Sequence, residues 1–161
     1  MRIACGFDHA GVDLRGRLLP LIRDLGHEVL DFGTDTTAPI DYPYKALEVG
    51  RAVVSGQADR GILVCGSGAG VSVAACKIRG VRAATIHDTY TAHQGVEHDG
   101  VNVLCLGGRV IGVEVAAEIV SAFLAAGVSD TERHARRRAE VAEIERTGGE
   151  ADAISEQGSS Q

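Results

Sequence analysis

Gly61-Ile62-Leu63-Val64-Cys65, then Gly66-Ser67-Gly68-Ala69-Gly70, then Val71 to Lys77 decide the fold. The first five residues are apolar without interruption, which suits a strand buried on both faces of a parallel sheet. Glycines at every second position let the chain turn sharply and let backbone amides approach a ligand closely. Val71–Lys77 reads as a helix opening in that loop, so the segment is a strand, a glycine-rich turn and a helix in order.

The same alternation extends on both sides. Arg2–Cys5, His27–Phe32, Val81–Ile86 and Val101–Leu106 read as further strands. Between them lie helical patterns: Leu14, Leu18, Leu21, Ile22 and Leu25 before Gly26; a run entered through Asp41-Tyr42-Pro43; and Thr89–Glu97. Val113–Ala125 and a charge-rich stretch, Asp130–Arg146, follow the last strand. Five strands alternating with helices predict an α/β fold, a three-layer α/β/α sandwich around a Rossmann-like five-stranded parallel sheet. In a flavodoxin-like strand order, ligands bind where the order reverses, between strands one and three. The segments at those strand ends are Gly6-Phe7-Asp8-His9-Ala10-Gly11 and Cys65 to Gly70.

The chain has 161 residues, enough for one domain, expected over residues 1–147. The last stretch, 148–161, is small and polar and is expected to be a disordered tail. A net charge of -6 with 4% aromatics and no Trp disfavours nucleic-acid binding. No apolar run is long enough to span a membrane, and no secretory leader is legible. A cytoplasmic protein with reduced thiols is therefore expected. None of the four cysteines forms a CxxC; Cys5 and Cys105 sit in apolar runs and read as small core residues.

Cys65 is different, because a loop leading into a helix favours negative charge and hence the thiolate. The loop is not a Walker A motif, since no Lys follows its glycines. It is not GxGxxG, because Gly66, Gly68 and Gly70 are spaced GxGxG. A cysteine phosphatase loop would carry Arg at position 71, where Val stands. Asp8-His9 at a strand end suits acid–base work or anion binding, or else Asp8 caps the next helix. Glu97-His98-Asp99 reads as a functional cluster or a polar helix end. Arg133 and Arg137 share a helix face beside His134, either as a fork for phosphate oxygens or as a solvated face with acidic partners. Arg109, after Gly107-Gly108, is placed to face the crevice.

Together these motifs closely resemble the ribose-5-phosphate isomerase type B family, which also holds galactose-6-phosphate and allose-6-phosphate isomerases. The resemblance runs from Met1 to about Arg146. It implies an aldose–ketose isomerase that works through a cis-enediolate without metal or organic cofactor. It also implies a homodimer, or a tetramer as a dimer of dimers, with active sites at the subunit interface. Residue by residue, Cys65 matches the proton-abstracting base; other members carry Glu where Val71 stands. Ser67 matches an assisting hydroxyl, and Asp8 and His98 match residues that open the sugar ring. The amides of Gly66, Ser67, Gly68, Ala69 and Gly70 match an anion hole for the enediolate, beside Tyr42. His9, Arg133 and Arg137 match the phosphate grip, and Arg109 an active-site arginine. His98 and some of the arginines are expected from the partner subunit. Asp99, matching a substrate-binding Asn, and Cys76, also at an Asn position, depart from the family pattern. The resemblance implies ribose 5-phosphate and ribulose 5-phosphate as substrates. A tetrose or hexose phosphate is the alternative, and a non-enzymatic anion- or nucleotide-binding module the remote one.

Overall fold

The computed structural model describes residues 1–149. Five strands, β1 (Arg2–Phe7), β2 (Glu28–Asp31), β3 (Arg60–Cys65), β4 (Ala83–Thr85) and β5 (Val103–Gly107), form one sheet. All pairings are parallel and the order is β2-β1-β3-β5-β4. Among the described residues there are six helices: α1 (Val12–Asp24), α2 (Tyr42–Val54), α3 (Ala69–Ala75), α4 (Thr89–Asp99), α5 (Val113–Ala125) and α6 (Glu132–Thr147).

The order explains the two layers. The chain moves one way across the sheet through α1 and α4, and the other way through α2 and α3. Right-handed crossovers therefore put α1 and α4 on one face and α2 and α3 on the other. Strand residues alternate to match. Ile3, Cys5, Phe7, Ile62, Val64, Leu104 and Leu106 pack with α1, α4 and α5. Ala4, Leu63, Cys65, Val103 and Cys105 pack with α2 and α3. The order reverses between β1 and β3, so the crevice at their C-terminal ends holds Asp8 and Cys65, as expected.

Several ends differ from the sequence reading, each for a local reason. β4 begins at Ala83 rather than Val81, because the Asn102 side chain captures the Arg82 N–H at 2.8 Å. β5 begins at Val103 rather than Val101, because the Val101 N–H caps α4 on Gly95 at 2.9 Å. α3 begins at Ala69, two residues before the expected Val71, since Gly68 already takes the N-cap. α6 closes on Gly148 in the left-handed conformation. Residues 150–161, most of the expected tail, lie outside the described residues. Among the described residues, no helix is long and apolar enough to cross a membrane.

Candidate active site

At the C-terminal edge of the sheet, Asp8, Tyr42, Cys65, Gly66, Ser67, Gly70 and Arg109 line one cavity of about 450 Å³, with Val110 at its side. Each reaches it by a different route. Asp8 follows β1, where its N–H bonds the Val64 carbonyl at 3.0 Å. It is only 4% exposed. Its Oδ1 accepts the Ala10 N–H at 2.8 Å, closing a tight turn rather than capping α1, whose N-cap is Gly11. Tyr42 is the first residue of α2, and Asp41 precedes it in extended backbone. A Cβ on Gly70 would stand 2.8 Å from the Tyr42 ring, so the ring seats directly on that glycine.

Cys65 ends β3. Its carbonyl accepts the Gly108 N–H at 2.8 Å, and the Gly66 carbonyl accepts the Arg109 N–H at 3.1 Å. These bonds fix the glycine-rich loop to the end of β5. The loop then turns back, and the Gly68 N–H donates to Cys65 Sγ at 3.1 Å. A donor aimed at sulfur is a contact that a charged sulfur accepts more strongly than a neutral one. Gly68 has φ +80°, which side chains rarely adopt, so glycine is needed there. Ser67 Oγ accepts the Ala69 N–H at 3.3 Å. Cys5 and Cys105 are core residues, as expected: burial, with Asp31 adding to it against Arg23, pushes the Cys5 thiol up to about 12. Burial drives Cys105 in the same direction.

His9 lies in the same β1–α1 loop as Asp8. The Ile40 N–H donates to its Nδ1 at 3.3 Å, which leaves Nε2 to carry the proton and donate outward.

The remaining expected residues form a second cluster elsewhere. His98 and Asp99 end α4, and Arg133 and Arg137 lie in the first turns of α6. His98 stacks on His134 with ring centroids 3.9 Å apart and a 32° tilt. Arg133 donates its Nε–H to His134 Nε2 at 3.1 Å. The proton of His134 therefore sits on Nδ1, which is buried and has no partner among the described residues. Asp99 and Arg137 line a cavity of about 350 Å³ together with Cys76, Arg82 and Arg138. Arg138 ties the cluster together, donating to the His98 carbonyl at 3.1 Å and to the Ser129 carbonyl at 2.8 Å.

One chain does not bring the two clusters together. α4 runs back to the start of β5, so His98 and Asp99 lie at the N-terminal edge of the sheet. Cys65 is in register with Gly107, at the far end of β5. From Val103 to Gly107 is about 13 Å of strand, beyond the reach of a histidine side chain.

Sequence reading missed two contributors. His87 Nε2 accepts the Gly107 N–H at 2.9 Å, which holds the end of β5. The Thr85 hydroxyl donates to the Gly68 carbonyl at 3.0 Å. Neither belongs to a motif; the only signal available was their place at the end of a strand in a parallel sheet.

The ribose/galactose isomerase family model matches residues 3–141. Ribose-5-phosphate isomerase B of Escherichia coli is 40% identical over 144 residues, covering 89% of this chain and 96% of its own. D-erythrulose-4-phosphate isomerase of Pectobacterium atrosepticum is 41% identical over 126 residues, covering 77% and 82%. Among solved structures, ribose-5-phosphate isomerase B of Clostridium thermocellum superposes with a TM-score of 0.88 at 42% identity, over 92% of this chain and 99% of that one. The fold, the crevice and these likenesses define a sugar-phosphate isomerase, and the chain belongs to the ribose/galactose isomerase family.

Proposed function

We propose that the protein interconverts D-ribose 5-phosphate and D-ribulose 5-phosphate, with Cys65 as the base, at sites shared between two copies of the chain. The observation that carries this reading is the Gly68 amide on the sulfur of Cys65, a residue that lines one cavity with Asp8 and Arg109.

The chemistry needs a base beside the substrate and donors for an oxyanion. The Cys65 thiolate takes the proton from C2 of the open-chain aldose. The electron pair moves toward the carbonyl oxygen, giving a cis-enediolate whose one negative charge, on O1, faces the amides of Gly66 to Gly70. Ser67 assists at the base. The hydroxyl proton passes from O2 to O1, and the Cys65 thiol returns its proton to C1, giving the ketose and restoring the thiolate. Asp8 and His98 move protons during ring opening, and Tyr42 closes one wall. His9, Arg133 and Arg137 grip the phosphate, Arg109 supports the reacting end, and Asp99 contacts substrate hydroxyls. Fixing the remote phosphate holds the reacting carbons in place.

A second copy enters because of the separation along β5. With the sheet rigid, the His98–Arg137 cluster of one chain serves Cys65 of another. A two-fold dimer does this twice, each subunit completing its partner's site.

The likeness to D-erythrulose-4-phosphate isomerase favours a second reading, a tetrose phosphate with the same proton transfer. The two differ in what they ask of the site. A four-carbon sugar phosphorylated on its terminal oxygen has no hydroxyl free to close a furanose ring. A tetrose reading therefore leaves the ring-opening pair idle. The test is kcat/KM on tetrose, pentose and hexose phosphates, with His98→Asn beside the wild type. Highest kcat/KM on ribose 5-phosphate, falling sharply in His98→Asn, supports the pentose reading. A tetrose preference indifferent to His98 replaces it.

A further inference from the structure

We propose that Thr85 is a positioning residue that sets the Gly68 amide on the Cys65 sulfur; the inference rests on the reading of Cys65 as the base.

Thr85 is the last residue of β4, the edge strand, which among the described residues pairs with β5 alone. The loop it touches belongs to β3, one strand further in. Its side chain crosses the end of β5 to get there. The hydroxyl donates to the Gly68 carbonyl at 3.0 Å. The methyl stands 3.0 Å from where a Gly68 Cβ would be. One side chain thus holds the carbonyl of Gly68 and occupies the space beside its α-carbon.

Gly68 needs such a hold. It has no side chain of its own to anchor it, and glycine rotates more freely than any other residue. Its amide has a specific task, donating to Cys65 Sγ at 3.1 Å. Fixing the carbonyl side of a residue whose backbone is at φ +80° and ψ -22° fixes where its N–H points. Thr85 therefore acts on the sulfur through Gly68 without touching substrate. Its neighbour two residues on, His87, holds the end of β5 through the Gly107 N–H. The end of β4 thus braces both the loop and the strand that the loop rests on.

The decisive variants are Thr85→Val, which keeps the shape and loses the hydroxyl, and Thr85→Ser, which keeps the hydroxyl. Thr85→Val is expected to lower kcat by about 10-fold with KM changed less than about 2-fold, because a misaimed group costs rate more than binding. Thr85→Ser is expected to recover most of that loss. Alkylation of Cys65 by iodoacetamide at neutral pH, followed on its own peptide by mass spectrometry, is expected to slow in Thr85→Val and recover in Thr85→Ser. Unchanged kcat and alkylation in Thr85→Val would overturn the proposal. So would a loss of kcat with unchanged alkylation, or a loss that Thr85→Ser does not recover. The alkylation arm needs no turnover. Activity retained in Cys65→Ala would sink the base assignment alone, whereas unchanged alkylation in Thr85→Val would sink the clamp.

Discussion

The Gly68 N–H meets the Cys65 sulfur across 3.1 Å, and the two residues are the ends of the same four-residue turn. Cys65 fixes the start of that turn through its carbonyl, and Gly68 returns a donor to its side chain. Alanine at 68 would force a side chain into φ +80°. Its Cβ would stand 3.0 Å from the Leu106 carbonyl carbon and 3.2 Å from the Gly107 nitrogen. Backbone atoms cannot move aside as a flexible side chain can. Gly68→Ala is therefore expected to cost about 1–3 kcal/mol of stability and most of the turnover. Thermal melts and steady-state rates check both. Unchanged melting and unchanged kcat would show that the turn is not held as described.

The separation of Cys65 from Arg137 gives a second expectation. Cys65→Ala and Arg137→Ala homodimers should each be nearly inactive, Arg137→Ala chiefly through a raised KM. Mixed after dissociation and reassembly, they should regain activity. Statistical pairing makes half the dimers hybrid, each with one intact site, so about a quarter of wild-type activity returns. No recovery on mixing would place the two residues in the same chain's site and contradict the shared arrangement.

His134 predicts a pH dependence of stability. Burial holds its imidazole below the usual value of 6.5, with His98, Arg133 and Arg137 adding to that and Glu97 opposing it. The folded protein thus prefers the neutral ring. Between the folded pKa and 6.5 the unfolded chain binds more protons, so stability rises with pH there. The contribution is present above about pH 6.5 and is lost as the pH falls through the folded value. His27 is lowered as well, by burial and then by the N-terminal amine and Arg60, so the comparison must be with a variant. The urea midpoint of the wild type should fall more between about pH 7.5 and about pH 5 than that of His134→Gln. Parallel curves for the two proteins would contradict it.

Much of the fold was legible in the chain. The uninterrupted apolar run at Ile62–Cys65 identified an inner parallel strand, and the β–α alternation set the layers. The order β5-β4 at one edge was not legible, because a three-residue strand such as Ala83–Thr85 carries too little pattern to place it. Strand starts were misplaced where a side chain intercepts the backbone, as Asn102 does for Arg82. Asp8, Cys65 and Arg109, which carry charge or a thiol within motifs, line the one cavity that the motifs pointed to. Thr85 and His87 were missed because they act through the backbone of other residues. A hydroxyl that holds a carbonyl two strands away leaves no periodicity and no spacing in the sequence.

The proposed mechanism rests on removal of the substrate proton by the Cys65 thiolate. Its most direct test is Cys65→Ala with ribose 5-phosphate in deuterium oxide. Isomerisation is followed enzymatically, C2 exchange by NMR, and substrate binding by calorimetry. Isomerisation and C2 exchange are both expected to fall by at least about 1000-fold while substrate binding stays near wild type. Wild-type rates of exchange and turnover in Cys65→Ala would contradict it and place the base on another residue of the cavity.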